Sequence, residues 1–465
     1  MTEVDEESSP PHWLNRLAGF IDMDSATKSA LLSRVWQFSG GFVSVLLISR
    51  CLDDSVQGFY YTFGSLIELT VFVELGLSVV TVHVTSHEWA KLNLNEQGGL
   101  VGDPDAMSRL VSMGRFLLRW YGFAAALFLI LVGPGGYLFL SKEVVDFSWR
   151  PQWIIACLVS GLQILLVPFQ AILRGCNQVS QLHRKILLSN ITTSLTVWAT
   201  LLLGLNLWVL VAANIVQLLW NIWFVLIRYG EFFRSFQQPV SGPVIDYRKE
   251  LLPLQWRLAA QAITGYFAFS LFTPVMFEYE GAVRAGQMGM AWTVITAMQR
   301  TGTIWLNVKA PQFGVFVATR QFEALDAMYR RVTLISTLCV AMLGSGIYLG
   351  ILMLQLLEFP FASRVLPADT VLILILATLV YHLPRCQDVY IRAHKIDPMA
   401  GFCLLAHCLI GLGVWYGGME YGAKGAAGSY LLVATFVVVP GYQRAMRVCR
   451  RTQRRADDSP TTVAG

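Results

Sequence analysis

Residues 186–227 read ILLSNITTSLTVWATLLLGLNLWVLVAANIVQLLWNIWFVLI, an unbroken run without a charged side chain. At 1.5 Å of rise per residue, about 20 residues cross a hydrocarbon layer of roughly 30 Å, so this run is about twice the length that one crossing needs. Its only break is Gly204-Leu205-Asn206, a turn-forming triplet near the middle. The economical reading is a tight helical hairpin, one helix ending near Leu205 and the next starting at Leu207.

Apolar stretches of similar length recur on both sides of this hairpin. Twelve spans are expected, centred on Ser29 to Ser49, Tyr60 to Val82, Phe116 to Leu140, Trp153 to Leu173, Ile186 to Leu205, Leu207 to Ile227, Trp256 to Phe277, Gly286 to Val308, Val332 to Leu356, Leu366 to Leu383, Met399 to Trp415, and Ala426 to Met446. Composition agrees: 55% of the 465 residues are hydrophobic and 14% charged, against roughly 25% charged in an ordinary soluble domain. The fold class expected is all-α, a polytopic integral membrane protein. A soluble enzyme is excluded.

Lys and Arg outside the spans number roughly 25 on the side of both termini and about six on the other, which by the positive-inside rule puts both ends in the cytoplasm. The formal charge of +5 is concentrated at the C-terminal end, Gln443 to Gly465, which holds six Arg and two Asp. The rest is nearly neutral, so nucleic acid is not an expected partner. The opening MTEVDEESSPPHW is acidic and lacks the pattern of a cleavable signal peptide, so the first span should direct insertion. The eight cysteines, at 51, 157, 176, 339, 386, 403, 408 and 449, show no paired metal-type spacing. Neither a disulfide framework nor a zinc site is expected, and His83 and His87 suggest no metal.

Two correspondences link the halves. Gln57-Gly58-Phe59-Tyr60-Tyr61 opens the second span and Ala285-Gly286-Gln287-Met288-Gly289 the eighth. Ile172-Leu173-Arg174 ends the fourth, and Tyr390-Ile391-Arg392 follows the tenth. The two pairs are separated by nearly the same length of chain, consistent with one duplication into two lobes of six spans related by an axis along the membrane normal. The alternative is coincidence between small-residue motifs that favour close helix approach. The expected organisation is a cytoplasmic segment 1–27, an N-lobe 28–228, a cytoplasmic linker 229–252 with Pro239, Gly242 and Pro243, a C-lobe 253–446 and a basic tail 447–465.

Ionisable groups at membrane depth are costly and so are functional candidates: Arg34, Glu68, Glu74, Arg119, Arg257 and Arg300. Arg34 and Arg257 stand at similar distances before Gly58 and Gly286, as repeat equivalents would. With Arg300, and with Gln37 and Gln261 beside them, they form a candidate substrate site, because a guanidinium grips phosphate bidentately and stays charged. Snorkelling to headgroups is the competing account for Arg34, Arg257 and Arg119. Glu68 and Glu74 are candidates for ion coupling or for a buried structural pair; six residues apart on a straight helix, they cannot share a narrow face. Asp388, His394 and Asp397 read as a polar internal loop. No Walker motif or dinucleotide fingerprint occurs, and no cofactor is expected.

Arg50-Cys-Leu-Asp-Asp-Ser-Val-Gln-Gly58-Phe-Tyr-Tyr-Thr-Phe-Gly64, Glu74-Leu-Gly-Leu, Ser86-His-Glu88, Leu254-Gln-Trp-Arg257, Phe272-Thr-Pro274 and Gly286-Gln-Met-Gly289-Met resemble the openings of the two halves of bacterial polysaccharide (O-antigen type) flippases. These belong to the multidrug/oligosaccharidyl-lipid/polysaccharide exporter superfamily. The resemblance, running from about Arg34 to Tyr442, implies a MATE-like fold with spans one, two, seven and eight around a cavity. It further implies outward movement of polyprenyl-pyrophosphate-linked oligosaccharide across the bacterial inner membrane, with membrane lipids and a polysaccharide polymerase or ligase as partners. Arg34, Arg257 and Arg300 would then line the cavity; Glu68 there departs from a purely cationic trap. The rival expectations are a cation-coupled small-molecule exporter, a membrane enzyme acting on lipid-linked sugars, and a scaffold of polysaccharide assembly.

Overall fold

The computed structural model describes residues 25–239, 241–394 and 399–458. The acidic N-terminal segment, Asp397 and the extreme C-terminus lie outside the described residues, as do the side chains of Arg34, Arg454 and Arg455. Helix accounts for nearly all regular structure; the exception is a small antiparallel ribbon, Leu92–Leu94 paired with Leu100–Gly102.

Twelve helical passages can be followed among the described residues. The first six are Ser25–Cys51, a bent second passage from Asp54 to Trp89, Pro104–Leu140, Arg150–Gly175, Val179–Leu202, and Trp208–Ile222 prolonged by a π-helical turn, Trp223–Arg228. The next six start at Leu252–Phe269, which continues through Phe272 to Gly281; the chain then returns to Ala318. Phe322–Leu356 and Ala368–Arg392 follow, and the last pair runs from Ala400 to Gly422 and from 423 to Asp458. Seven helices meet a length-and-hydropathy requirement for a span outright, and two of these, of 72 and 54 residues, contain the folds at Gly281 and Gly422.

Each tight fold has a local cause. Gly281 (φ 84°, ψ 177°) and Gly422 (φ 60°, ψ −151°) occupy backbone regions that only glycine enters cheaply. Phe272 stacks on Trp292, centroids 4.4 Å apart, across the first of these hairpins. The break in residues 186–227 falls where the sequence puts it: Gly204 has φ +69° and Asn206 +48°. The third helix is 37 residues long and begins well before Phe116, because Pro104 sits in its first turn and the Asp103 carboxylate accepts from the Ala106 amide at 2.9 Å.

The second passage is not a straight helix. A 3₁₀ turn occupies Glu68–Thr70, and Leu75 and Gly76 adopt left-handed conformations (φ 52° and 67°). The parts on either side of the Leu75–Gly76 break meet at 47°. A single helical wheel therefore does not relate Glu68 to Glu74, which corrects the sequence-based geometry for that pair.

Polar contacts tie helices within each lobe, as in other membrane bundles. The first span meets the fifth through Trp36 Nε1 to Ser194 Oγ (3.2 Å), Trp198 Nε1 to Ser44 Oγ (2.9 Å) and Asn190 Nδ2 to Ser33 Oγ (2.9 Å). Outward-facing side chains are apolar: Leu202, Met342 and Phe436 are 71%, 74% and 73% exposed, which a hydrocarbon surrounding explains and water would not.

The lobes join most tightly on the face opposite the termini. Gly58 and Gly286 cross backbone to backbone: a Cβ on Gly58 would lie 1.9 Å from the Ala282 carbonyl oxygen, and one on Gly286 2.9 Å from the Gly58 amide nitrogen. Gln57 Nε2 donates to the Gly286 carbonyl at 3.0 Å, Arg364 Nε pairs with Asp54 at 2.8 Å, and Phe59 packs edge-on against Phe277 at 5.2 Å. Two glycines matched by the internal repeat are thus each other's neighbours at this seal.

Candidate functional site

Below the seal the lobes part. The eighth span is an uninterrupted helix from 282 to Gly302, so its 3.6-residue period can be used to follow one face. That face carries Gly286 and Gly289, the latter against Tyr61 of the second span. Further steps of three and four residues reach Thr293, Thr296 and Arg300. Thr293 and Arg300 are exposed, which means that the face leaves the second span just beyond Gly289. Arg300 lies about 21 Å along the helix from Gly286. On the second span, Glu68 lies two turns past Tyr61 on the same side and is also exposed. Glu68 and Arg300 are thus both exposed, one on a span of each lobe. Tyr266 of the seventh span, within electrostatic range of Glu68, donates to the Ser65 carbonyl at 3.0 Å.

A cavity of about 430 Å³ lies inside the second lobe. The tenth span contributes Tyr381, Arg385, Asp388 and Arg392, whose spacing brings the last three to one side of the helix. Asp388 holds Arg392 Nε at 2.9 Å and lies 3.4 Å from the Tyr442 hydroxyl, which in turn is 3.0 Å from Cys403 Sγ. His407 sits between the Tyr381 hydroxyl (3.2 Å) and Thr264 Oγ1 (3.5 Å). Arg385 is exposed to the cavity, stands over the Tyr381 ring at 5.8 Å and has no ion pair among the described residues. Among the described residues the site thus offers one guanidinium without an ion pair, Arg385, and one paired with the lining carboxylate of Asp388.

Gln261 and Asn307 bring amides to the same wall. Arg257 precedes Gln261 by four residues and Thr264 by seven, so it shares their side of the seventh span; it is exposed and stands over Trp256 at 5.6 Å. Arg300 precedes two other lining residues, Thr303 and Asn307, by three and seven. Chemically, this wall can accept a doubly charged oxyanion by bidentate contacts and hydrogen-bond neutral hydroxyls beside it.

The first lobe carries a buried cation in the matching region. The shift along the chain that relates Arg174 to Arg392 also relates Gln170 to Asp388 and Lys185 to Cys403. Lys185 is buried, with its ammonium hydrogen-bonded to Gln170 Oε1 (3.3 Å) and Asn221 Oδ1 and standing 5.7 Å over the Phe224 ring. It has no carboxylate partner among the described residues. Both last spans carry a π-helical turn near these junctions, at Trp223–Arg228 and Ala434–Val438, a local widening common at functional sites.

Of the residues selected from sequence, Gln261 lines the cavity, whereas Arg257, Arg300 and Glu68 are exposed on the seventh, eighth and second spans and are not among its lining residues. Gln37 is exposed on the first span, and the Arg34 side chain lies outside the described residues. Glu74 is half-buried, accepts from Ser78 Oγ and is apart from the cavity. Asp388 is not in a loop: the tenth span runs to Arg392, beyond the expected end at Leu383, because the polar segment finds its partners inside the lobe. Sequence reasoning passed over Arg385, Asp388 and Lys185 as site residues; the i, i+3, i+7 spacing of Arg385, Asp388 and Arg392 was the available signal. Among the described residues no cluster of potential ligands could hold a metal ion.

The sequence matches no family profile and no curated protein sequence. Its fold is similar to that of an inward-facing multidrug resistance MATE family transporter of the MOP superfamily, with a TM-score of 0.60 and 13% identity over 94% of this chain and 99% of the other. A variant of the Vibrio cholerae MATE transporter VcmN gives 0.57 and 12% over 94% and 98%. A MOP superfamily transporter from Pyrococcus furiosus, described as having a binding pocket of reverse polarity, gives 0.52 and 12% over 93% and 97%. At these identities the likeness is one of fold: an all-α, multi-pass membrane architecture of MATE type.

Proposed function

We propose that this chain is a flippase that moves a polyprenyl-pyrophosphate-linked oligosaccharide across the bacterial inner membrane by alternating access, with both termini in the cytoplasm. The observation that carries the reading is the cavity that holds Arg385, without an ion pair among the described residues, beside Arg392. A pyrophosphate is the lipid headgroup that suits this positive charge, since each guanidinium can take two of its oxygens. The amides of Gln261 and Asn307 and the hydroxyls of Tyr381 and Tyr442 suit sugar hydroxyls next to it. A polysaccharide polymerase or ligase is the natural recipient of the product.

The test is complementation of a host lacking this protein. Arg385→Ala should abolish surface glycan while undecaprenyl-linked glycan accumulates on the inner leaflet; full complementation by that variant defeats the proposal. A second reading, a cation-coupled exporter of small molecules, is supported by the MATE-type fold and by Glu68, an exposed carboxylate on the second span. It requires that Glu68→Gln abolish efflux of a cationic dye such as ethidium, with glycan export unaffected.

A further inference from the structure

The last helix continues past its span as a cationic arm. Val439–Asp458 follows the π-helical turn of the twelfth span without a break and extends for 20 residues, about 30 Å. Its inner edge is pinned to the bundle. Gln453 Nε2 donates to the Tyr390 hydroxyl at 3.0 Å, that hydroxyl donates to Asp326 at 2.8 Å, and Arg450 reaches Asp326 at 3.3 Å with its guanidinium over the Tyr390 ring. Arg450 is thereby consumed internally. Arg444, Arg447 and Arg451 are not: all three are exposed, and none has an ion pair or hydrogen bond among the described residues. Their i, i+3, i+7 spacing puts them on one side of the helix, where like charges repel. The array is thus a cluster of like charges on a pinned helix, which an anion would stabilise.

A groove of about 540 Å³ runs beside this array, between Met399 and Phe402 at the start of the eleventh span and Pro440, Ala445 and Val448 of the arm, with Arg444 at its edge. Its walls are apolar. Along the same two spans, Leu405, Leu412, Leu432 and Phe436 are 55%, 58%, 58% and 73% exposed, so the groove continues a surface built to face acyl chains. The chemistry of this surface changes from hydrocarbon to guanidinium along one helix, as the membrane does from tail to headgroup.

We infer that this groove and the Arg444, Arg447 and Arg451 side chains form a binding site for one anionic phospholipid of the leaflet on the termini side. An acyl chain lies in the groove and the phosphate on the arginines. A zwitterionic lipid brings its own ammonium into the same array and is disfavoured.

Native mass spectrometry of the full-length protein with equimolar phosphatidylglycerol and phosphatidylcholine in mixed micelles tests the site. The wild-type chain should prefer phosphatidylglycerol by about tenfold or more, and the variant R444Q/R447Q/R451Q should lose that preference. Arg331→Gln, an exposed charge on the ninth span at the same side of the bundle, should keep it. Ala445→Trp, which fills the groove with the arginines intact, should lower occupancy by either lipid. A wild-type chain without preference, a triple variant that retains it, or an equal loss in Arg331→Gln overturns the assignment. Should the triple variant not fold, undiminished occupancy in Ala445→Trp does so by itself.

Discussion

At the scale of single residues, Arg385 and Lys185 bury or present positive charge in different ways, and they should respond differently to substitution. Arg385 is exposed to its cavity and makes no polar bond among the described residues. Arg385→Ala should therefore change folding stability by no more than about 0.5 kcal/mol while removing transport, and Arg385→Lys should restore part of it, since a point charge replaces only some of a bidentate grip. Thermal unfolding in detergent, run beside glycan export, separates the two effects. Lys185 is the converse, a buried cation held only by amide oxygens and a ring. In Lys185→Met, relief from burying the ammonium opposes the cost of leaving two acceptors unpaired, about 1–3 kcal/mol each, so the net loss should be small. Lys185→Glu turns a carboxylate toward those oxygens and should cost more than about 3 kcal/mol, read as a much lower melting temperature than that of the Met variant. Neither site was legible by hydropathy, because that reading ends a helix where polar residues begin. Lys185 lies one residue before the expected fifth span, and Arg385 two residues beyond the expected tenth. The Asp388–Arg392 pair, one turn apart on the same helix, and the Tyr442 hydroxyl of the twelfth span beside Asp388 let the helix run on.

At the scale of elements, the sequence was most informative where backbone geometry is decided locally. The Gly204-Leu205-Asn206 turn depends on residue types that few alternatives can replace, whereas the contact of Gly58 with Gly286 is not foreseen by the sequence, which matches these two only as repeat positions. What it could not disclose was the double break in the second span. Leu75 takes a left-handed conformation that its side chain disfavours, and only the seventh span explains it: Leu258 Cβ lies within 2.8 Å of where a Cβ on Gly76 would stand. The crossing at Gly58 has a sharp consequence. A methyl group there would meet the Ala282 carbonyl oxygen at 1.9 Å, and backbone cannot rotate away as a side chain could. Gly58→Ala should cost about 1–3 kcal/mol, whereas Gly64→Ala on the same helix, with open space around it, should leave the melting temperature unchanged or slightly raised.

For the molecule as a whole, the two ends of the inter-lobe interface are held by unequal means, and that inequality defines the resting state. The side opposite the termini has the Gly58–Gly286 crossing, the Phe59–Phe277 contact and Arg364, which pairs with Asp54 at 2.8 Å and donates to the Leu52 carbonyl at 2.6 Å. Among the described residues the termini side has one ionic link from the first lobe to the linker turn that runs into the seventh span, Arg109 between Glu88 (2.7 Å) and Glu250 (2.5 Å). Alternating access requires the first set to part. Asp54 is 44% exposed and Arg364 20%, so solvent screens their attraction, and Arg364→Ala should remove about 1 kcal/mol from the closed far side. In a two-state equilibrium that shifts the ratio of far-open to far-closed molecules about fivefold. A cysteine placed at Thr293, in a background stripped of the eight native cysteines, reports the change, because this residue lies just beyond the Gly289–Tyr61 contact where the lobes separate. Labelling by a membrane-impermeant maleimide applied to the far side should accelerate by about that factor in Arg364→Ala. Arg109→Ala should slow it, since the same exchange is then biased the other way. If both variants change labelling in the same direction, the ion pairs do not act as opposed latches, and closure is governed by helix packing alone.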